Sequence, residues 1–147
     1  MRDAVGGSFM IKVFIVFLGV YIVFMAVALN YAKAFRVKNQ IINIIEQNEG
    51  IDADDYNDKS NNSSLSKIYS YLAKVSYTTG NDVAKNKCET GSYIDDRYIF
   101  CINTYTYDKN KTYYKVTTFV SLELPFFGIN IPVPIKGETR MIERITE

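Results

Sequence analysis

The sequence predicts an α+β fold in which one long N-terminal helix packs on a small antiparallel β-sheet. Residues 13–32 contain no charge, and an amphipathic helical pattern follows them directly over residues 33–49. From Tyr93 onward the hydrophobic period changes from about 3.6 residues to about 2, which is typical of half-buried strands. The 147 residues are enough for one ordinary domain.

The composition excludes several classes of function. The chain has no histidine, so Ser-His-Asp and Cys-His nucleophile pairs and imidazole bases are excluded. Its formal net charge is +1, without the basic excess that is typical of nucleic-acid-binding chains. There is no glycine-rich phosphate loop. We therefore expect a protein that is not an enzyme, needs no cofactor or metal, and does not bind nucleic acid.

The uncharged stretch from Val13 to Ala32 predicts a transmembrane helix. Its sequence is VFIVFLGVYIVFMAVALNYA, and Asn30 is its only strongly polar residue. At about 1.5 Å per residue, such a helix is roughly 30 Å long, which matches the hydrocarbon core of a bilayer. We place the membrane helix at residues 10–32 and expect it to contact the lipid bilayer or neighbouring subunits. The residues that we assign to this packing are Val13, Phe17, Val20, Phe24 and Val27.

Two other interpretations of this stretch are open. A helix buried in a soluble core usually has a polar stripe, and this stretch has none. A cleaved secretory signal has a shorter apolar region, followed by a small-x-small cleavage site before a polar mature chain. No clear site of that kind is present, so we favour the membrane helix.

The helical pattern continues past the membrane boundary as an amphipathic stripe over 33–49. Its apolar residues are Ala34, Phe35, Val37, Ile41, Ile42, Ile44 and Ile45. Gly50 stands where a C-terminal cap is expected, so the sequence predicts one helix from about Met10 to Glu49. The second half of this helix needs a partner that covers its stripe.

Residues 50–64 have the composition of an exposed loop, with four Asp, three Asn and three Ser. The spacing of three of its acidic residues suggests a calcium loop. These residues are Asp52, Asp54 and Asp58. An EF-hand needs glycine where Asn57 stands and glutamate where Ser63 stands, so we favour a solvated acidic loop.

A short amphipathic helix is predicted over residues 65–76. Ser64 stands in the N-cap position, and apolar residues follow at helical spacing. They are Leu65, Ile68, Tyr69, Leu72 and Val75. We expect this helix to lie on the same core as the longer one.

Antiparallel strands are predicted from about residue 93 to residue 143. The segments 98–107 and 112–124 are rich in β-branched and aromatic residues, and the polar residues 108–111 between them predict a hairpin turn. Apolar and polar residues alternate from Tyr114 to Leu124, so one face should be buried and the other wet. The stripe over 33–49 is the partner that we expect for the buried face.

All three prolines lie in the last segment, at 125, 132 and 134. Pro125 to Asn130 should turn the chain. Because Pro132 and Pro134 are two residues apart, their missing N–H groups would lie on the same edge of a strand. We therefore expect an edge strand or a bulge there, with an irregular proline-rich loop as the alternative.

Two cysteines, Cys88 and Cys101, flank a stretch of twelve residues. An even number of cysteines in a chain with a membrane segment suggests a disulfide if the domain lies in an oxidising compartment. The alternative is a pair of independent buried thiols.

The whole layout resembles that of type IV pilin-like proteins, and is most similar to TadE-like pseudopilins of tight-adherence pili. A short N-terminus, a hydrophobic helix with an amphipathic continuation and a C-terminal sheet with a cysteine pair carry the resemblance, together with the ending PFFGINIPVPIKGETRMIE. The resemblance implies that residues 1–9 are leader-like and that Gly6 or Gly7 is the processing site. Pilins have a glutamate five positions into the mature chain, where Ile11 or Lys12 stands here. The resemblance also implies a pilin-like domain over residues 33–147.

The charges around the membrane segment and the cysteines favour opposite orientations. Arg2 and Lys12 precede the segment, and Lys33, Arg36 and Lys38 follow it. The positive-inside rule then favours a cytoplasmic C-terminal domain. The cysteine pair and the pilin-like layout imply a domain outside the cytoplasm, which we favour.

The function that these observations favour is that of a non-enzymatic subunit of a surface filament or of its assembly and secretion machinery. It would act by packing against itself, against related pilin-like subunits and against the pilus assembly machinery. The alternative is a stand-alone, single-pass anchored binding domain outside the cytoplasm that does not polymerise.

Overall fold

A long helix and a small antiparallel sheet form the chain, as a computed structural model describes it, which confirms the predicted α+β fold. The structure describes residues 2–51, 63–77, 84, 86–94, 97–108, 110–124 and 129–143. The elements are α1 (Arg2–Gln47), α2 (Ser64–Lys74), β1 (Tyr93–Ile94), β2 (Cys101–Asp108), β3 (Lys111–Leu124), β4 (Ile129–Glu138) and β5 (Ile142–Glu143). The acidic loop with its calcium alternative, and the start of the turn predicted from Pro125, lie outside the described residues.

The sheet has β3 at its centre. The strand order is β1-β2-β3-β4, and β5 also pairs with β3. β2 pairs with β3 from Cys101↔Thr117 to Asp108↔Lys111, which is the predicted hairpin. On its other side β3 pairs with β4 over the full length of β4, and then with β5.

The amphipathic half of α1 covers one face of this sheet. The core that it shares with α2 and the strands includes Val37, Ile41, Ile45, Leu65, Ile68, Leu72, Ile102, Val116 and Val120. Phe35 departs from the predicted stripe, because it is 42% exposed while Lys38 is only 8% exposed. The ammonium of Lys38 lies 4.2 Å from the centroid of the Phe35 ring. Phe35 therefore lies at the edge of the stripe and makes a cation–π contact with Lys38 instead of packing in the core.

The opposite face of β3 is covered around Thr117 and Phe119, so the prediction that this face is wet was wrong for this part of the strand. Thr117 and Phe119 are only 3% and 1% exposed. Phe119 belongs to a second, smaller core with Ala84, Ile99 and Cys101. Residues 86–92, which we call the covering segment, contact the strands on this side. The alternation along β3 indicated which side chains share a face, but not that both faces have partners.

The ends of α1 differ from the predicted ones. The helix begins at Arg2 rather than near Met10, and ends at Gln47. Glu49 has φ of 56°, and its N–H donates to the carbonyl of Glu46 at 3.3 Å, while the N–H of Gly50 donates to that of Ile45 at 2.9 Å. These two bonds form a Schellman cap. The left-handed position of the cap is therefore Glu49, and Gly50 follows with φ of 112°.

The N-cap of α2 is Ser63, not Ser64 as predicted. The Ser63 Oγ accepts a hydrogen bond from the Ser66 N–H at 3.0 Å. The Ser64 Oγ instead donates to the carbonyl of Gly50 at 2.9 Å, which ties the start of α2 to the end of α1. The two adjacent serines are equally good caps by residue type, and this contact decides between them.

β4 is an edge strand, as Pro132 and Pro134 predicted. Its register with β3 is regular from Ile129 to Glu138, so the bulge and the irregular loop are both wrong. The N–H of Thr139 donates to the Tyr114 carbonyl at 2.9 Å, and the inward and outward backbone groups of β4 alternate from there. The nitrogens of both prolines therefore face away from β3, where no ladder bond is lost.

Candidate functional site

The first half of α1 presents a long exposed apolar surface. Phe17 is 75% exposed, and Phe24 and Leu29 are each 70% exposed. None of the most apolar 18-residue window of this helix is buried. Among the described residues, α1 is the one helix that is long and apolar enough to cross a membrane. A core helix would be buried by its own domain, so the core-helix interpretation does not fit.

The five residues assigned to membrane or filament packing share one side of this helix. Successive members are four or three residues apart, which is the spacing of a single helical stripe. They are Val13, Phe17, Val20, Phe24 and Val27. Val27 is partly exposed and the other four are exposed, so all five are accessible to lipid or to a second subunit.

The two glycines of the predicted processing site also lie in α1. Gly6 and Gly7 fall within the first turns of the helix rather than in a separate leader segment. A Cβ atom added at Gly7 would meet no atom within 4 Å. Cleavage after either glycine stays a prediction.

The second half of α1 is tied to the domain along its length. Near its start, the Lys33 Nζ donates to the Ser76 carbonyl at 2.9 Å and the Thr118 Oγ1 donates to the Ala34 carbonyl at 3.2 Å. Near its end, the Glu46 Oε1 accepts from the Arg140 N–H at 2.7 Å. Because α1 is continuous, these contacts fix the direction in which the apolar half leaves the domain.

A charged cluster centred on Glu89 holds the covering segment on the sheet. The Glu89 Oε1 accepts from Lys115 Nζ at 2.8 Å and from Lys136 Nζ at 2.9 Å. Its Oε2 accepts from the Tyr105 hydroxyl at 2.7 Å. The three donors lie on β3, β4 and β2, so one carboxylate connects the covering segment to three strands.

The same contacts shift the titration of the cluster. The hydrogen bond from Lys115, followed by those from Tyr105 and Lys136, lowers the pKa of Glu89 to about 2. The bond to Glu89 raises the pKa of Lys115 and of Tyr105 in turn. Glu89 is therefore ionised at neutral pH with both oxygens engaged, and its role is to hold structure rather than to move protons.

A disulfide between Cys88 and Cys101 ties the same segment to the start of β2. Cys101 is fully buried in the second core. The alternative of two independent thiols is therefore wrong. Since Glu89 follows Cys88 directly, a covalent bond and an ion cluster act side by side on the covering segment.

Sequence reasoning missed the Glu89 cluster. Its members come from four separate segments, and their charges alone do not indicate that they meet. The only indication in the sequence was that Glu89 follows a cysteine, which could hold this segment to the domain through a disulfide. Among the described residues, no group of three or more His, Cys, Asp or Glu is placed to bind a metal ion.

No protein-family model, no curated protein and no solved structure matches this chain. The pilin-like resemblance therefore depends on the sequence layout alone.

Proposed function

We propose that the chain is a membrane-anchored pilin-like subunit of a surface filament, or of the machinery that assembles and secretes one, and that it acts by packing against other subunits. The observation that carries the proposal is the contrast between the two halves of α1. Val37, Ile41 and Ile45 are at most 1% exposed, whereas the apolar window before them has no buried residue. The second half of α1 is buried by the chain's own domain, and the first half is left exposed for a partner outside the monomer.

Lipid is the first partner of the exposed half. Residues 13–32 are long enough to cross the hydrocarbon core, and because they lie in the interior of α1, their backbone groups bond within the helix. Exposed side chains such as Phe17 and Phe24 then contact acyl chains. This environment removes the cost of exposing a large apolar surface to water.

A second copy of the helix, or the helix of a related subunit, is the second partner. Helices in membranes associate through close packing rather than through the hydrophobic effect, because lipid is as apolar as the side chains. The stripe from Val13 to Val27 has the spacing that two helices use when they pack along their length. Assembly would exchange lipid contacts for contacts along this stripe.

We place the domain outside the cytoplasm. The Cys88–Cys101 disulfide supports this side, because disulfides persist in oxidising compartments and are rare in the cytosol. The cations after the membrane segment favour the other side under the positive-inside rule. The disulfide joins two parts of the folded domain itself, so we give it more weight.

Cross-linking of single cysteines tests the assembly. With Cys88 and Cys101 paired, a cysteine placed at each position from Val20 to Ala28 supplies the one free thiol. Cross-links between subunits should recur with a period of three to four residues. Tyr107→Cys is the control, since this side chain is 79% exposed but lies on the domain, and it should not cross-link. Uniform or absent cross-linking would contradict packing along one helix face.

An anchored binding domain that does not polymerise is the second candidate. Tyr107 is 79% exposed, and the rings of Tyr105 and Tyr113 stack at 5.1 Å on the same hairpin. Aromatic rings on a rigid sheet are suited to binding a ligand. Filaments sheared from cells distinguish the two functions, because a subunit is released with them and a stand-alone anchor stays with the membrane.

A further inference from the structure

A groove between α1 and α2 begins where the predicted membrane segment ends. It has a volume of about 440 Å³, and its lining includes Leu29 and Ala32 from the segment, Lys33 and Arg36 beyond it, and Tyr71 of α2. A second cavity adjoins it at Arg36 and Tyr71. The two cavities follow the same face of α1, because their residues recur at intervals of three and four.

The lining changes in polarity along this face. Leu29 and Ala32 are apolar, and Lys33 and Arg36 are cationic. Asn39, Gln40 and Asn43 line the adjoining cavity with amide groups. At about 1.5 Å per residue, Arg36 lies about 5 Å beyond Lys33, and Gln40 about 6 Å beyond Arg36. None of the described residues that line the two cavities is acidic.

The two cations that line the groove, Lys33 and Arg36, can each donate further hydrogen bonds. Lys38, the third cation after the membrane segment, is buried and lies over the Phe35 ring. Lys33 uses one of its three N–H groups on the Ser76 carbonyl. Arg36 is exposed, and no ion pair with another described residue occupies its five N–H groups. A guanidinium presents these donors in the planar fork that fits phosphate.

We propose that this groove binds an anionic phospholipid, with the acyl chains along Leu29 and Ala32, the phosphate at Lys33 and Arg36, and a polar headgroup beside the amides. Along the groove, apolar side chains are followed by cations and then by amides. This order matches the acyl chains, the phosphate and the polar headgroup of such a lipid from the bilayer outward. Charge complementarity and continuity with the membrane segment both favour a lipid over a soluble ligand. This inference rests on the proposed membrane anchoring.

Lipid titration of the full chain in detergent tests the proposal. Native mass spectrometry would compare phosphatidylglycerol with phosphatidylcholine of the same acyl chains. We expect phosphatidylglycerol to bind at least about tenfold more tightly. Both lipids carry the phosphate, but the trimethylammonium of phosphatidylcholine is repelled by Lys33 and Arg36 and forms no hydrogen bond with the amides, whereas the glycerol hydroxyls do. Arg36→Gln should remove most of this preference, Arg36→Lys should keep part of it, and Tyr71→Phe should reduce it less than Arg36→Gln does.

Lys12→Gln is the matched control. Lys12 flanks the other end of the apolar stretch and is exposed, so it would meet headgroups of the opposite leaflet without a groove. Its substitution should leave the preference unchanged. An equal loss with Lys12→Gln and Arg36→Gln would mean general surface attraction and would overturn the groove. Displacement of the lipid by equimolar glycerol phosphate would overturn the lipid as the occupant.

Flotation of the same preparation with pure phosphatidylcholine vesicles tests the membrane anchoring separately from the lipid-binding groove. Failure to float would contradict the membrane anchoring itself. Flotation without any preference for phosphatidylglycerol would contradict the groove and leave the anchoring intact. Circular dichroism of Arg36→Gln should match the unsubstituted chain, because Arg36 is exposed and outside the core.

Discussion

The hydroxyl of Tyr77 bonds both backbone groups of Phe119. It donates to the Phe119 carbonyl at 2.8 Å and accepts from the Phe119 N–H at 2.9 Å. The pairing of β2 with β3 stops two positions short of Phe119, at Cys101↔Thr117, and the residue opposite Phe119 on β4 is Pro134. In this register Ile99 would lie opposite Phe119 if β2 extended by two residues. Tyr77 therefore supplies the donor and the acceptor of that missing pair, and this part of the edge of β3 is satisfied in the interior of the domain.

Tyr77→Phe should lower the free energy of unfolding by about 2–3 kcal/mol, because two buried backbone groups lose their partner. Both residues are almost fully buried, so water cannot replace the hydroxyl without disturbing the core. Denaturant unfolding of the detergent-solubilised chain would measure the change. Tyr107→Phe removes a hydroxyl from an exposed side chain and should have an effect below about 0.5 kcal/mol. Equal effects of the two substitutions would contradict the role of Tyr77.

The parts of the fold that were predictable follow from local patterns. The stripe of Val37, Ile41 and Ile45 and the outward nitrogens of Pro132 and Pro134 depend on periodicity and on proline chemistry alone. The covering segment has no hydrophobic period, so the sequence did not indicate that it covers Phe119. Contacts such as Tyr77 to Phe119, or Glu89 to Lys136, join residues more than forty positions apart and have no local indication at all.

Acid should weaken the contribution of Glu89 to stability. Its folded pKa of about 2 lies below the ordinary value of 4.5, so the stabilisation is fully present above pH 4.5 and is lost as the pH falls towards 2. Glu89→Gln keeps the shape of the side chain and removes its charge. We expect the variant to melt below the unsubstituted chain at pH 7, and the difference to shrink between pH 4.5 and pH 2.

Glu143→Gln is the control for this pH series. The Glu143 carboxylate lies 3.8 Å from the Lys111 ammonium, and both side chains are largely exposed, so this pair contributes little. Its substitution should change the melting temperature little at any pH. The difference in melting temperature between Glu89→Gln and the unsubstituted chain should not stay constant from pH 7 to pH 2. A constant difference would contradict the stabilisation by an ionised Glu89.

Reduction of the Cys88–Cys101 bond should destabilise the domain by about 3 kcal/mol, the value expected for a loop of this length in the chain-entropy model. The two cysteines are 13 positions apart. Alkylation of protein denatured without reductant should label neither thiol, and reductant added before alkylation should expose both. Tyr107→Cys supplies an accessible thiol that confirms the reagent is active. Full labelling of the unreduced chain would instead place the domain in a reducing compartment.

An arginine at Gly19 should sharply reduce membrane insertion without disturbing the domain. A Cβ at Gly19 would meet no atom within 4 Å, and neither would one at Gly7, so neither position is constrained by packing within the monomer. Gly19 lies within the apolar stretch, where an arginine costs about 2–3 kcal/mol on the insertion scale. Gly7 precedes the stretch, and an arginine there can extend into the headgroup region. After carbonate extraction, Gly7→Arg should remain in the membrane fraction and Gly19→Arg should be largely lost from it. Equal retention of both variants would contradict a membrane helix over residues 10–32, since only burial in hydrocarbon makes the two positions differ.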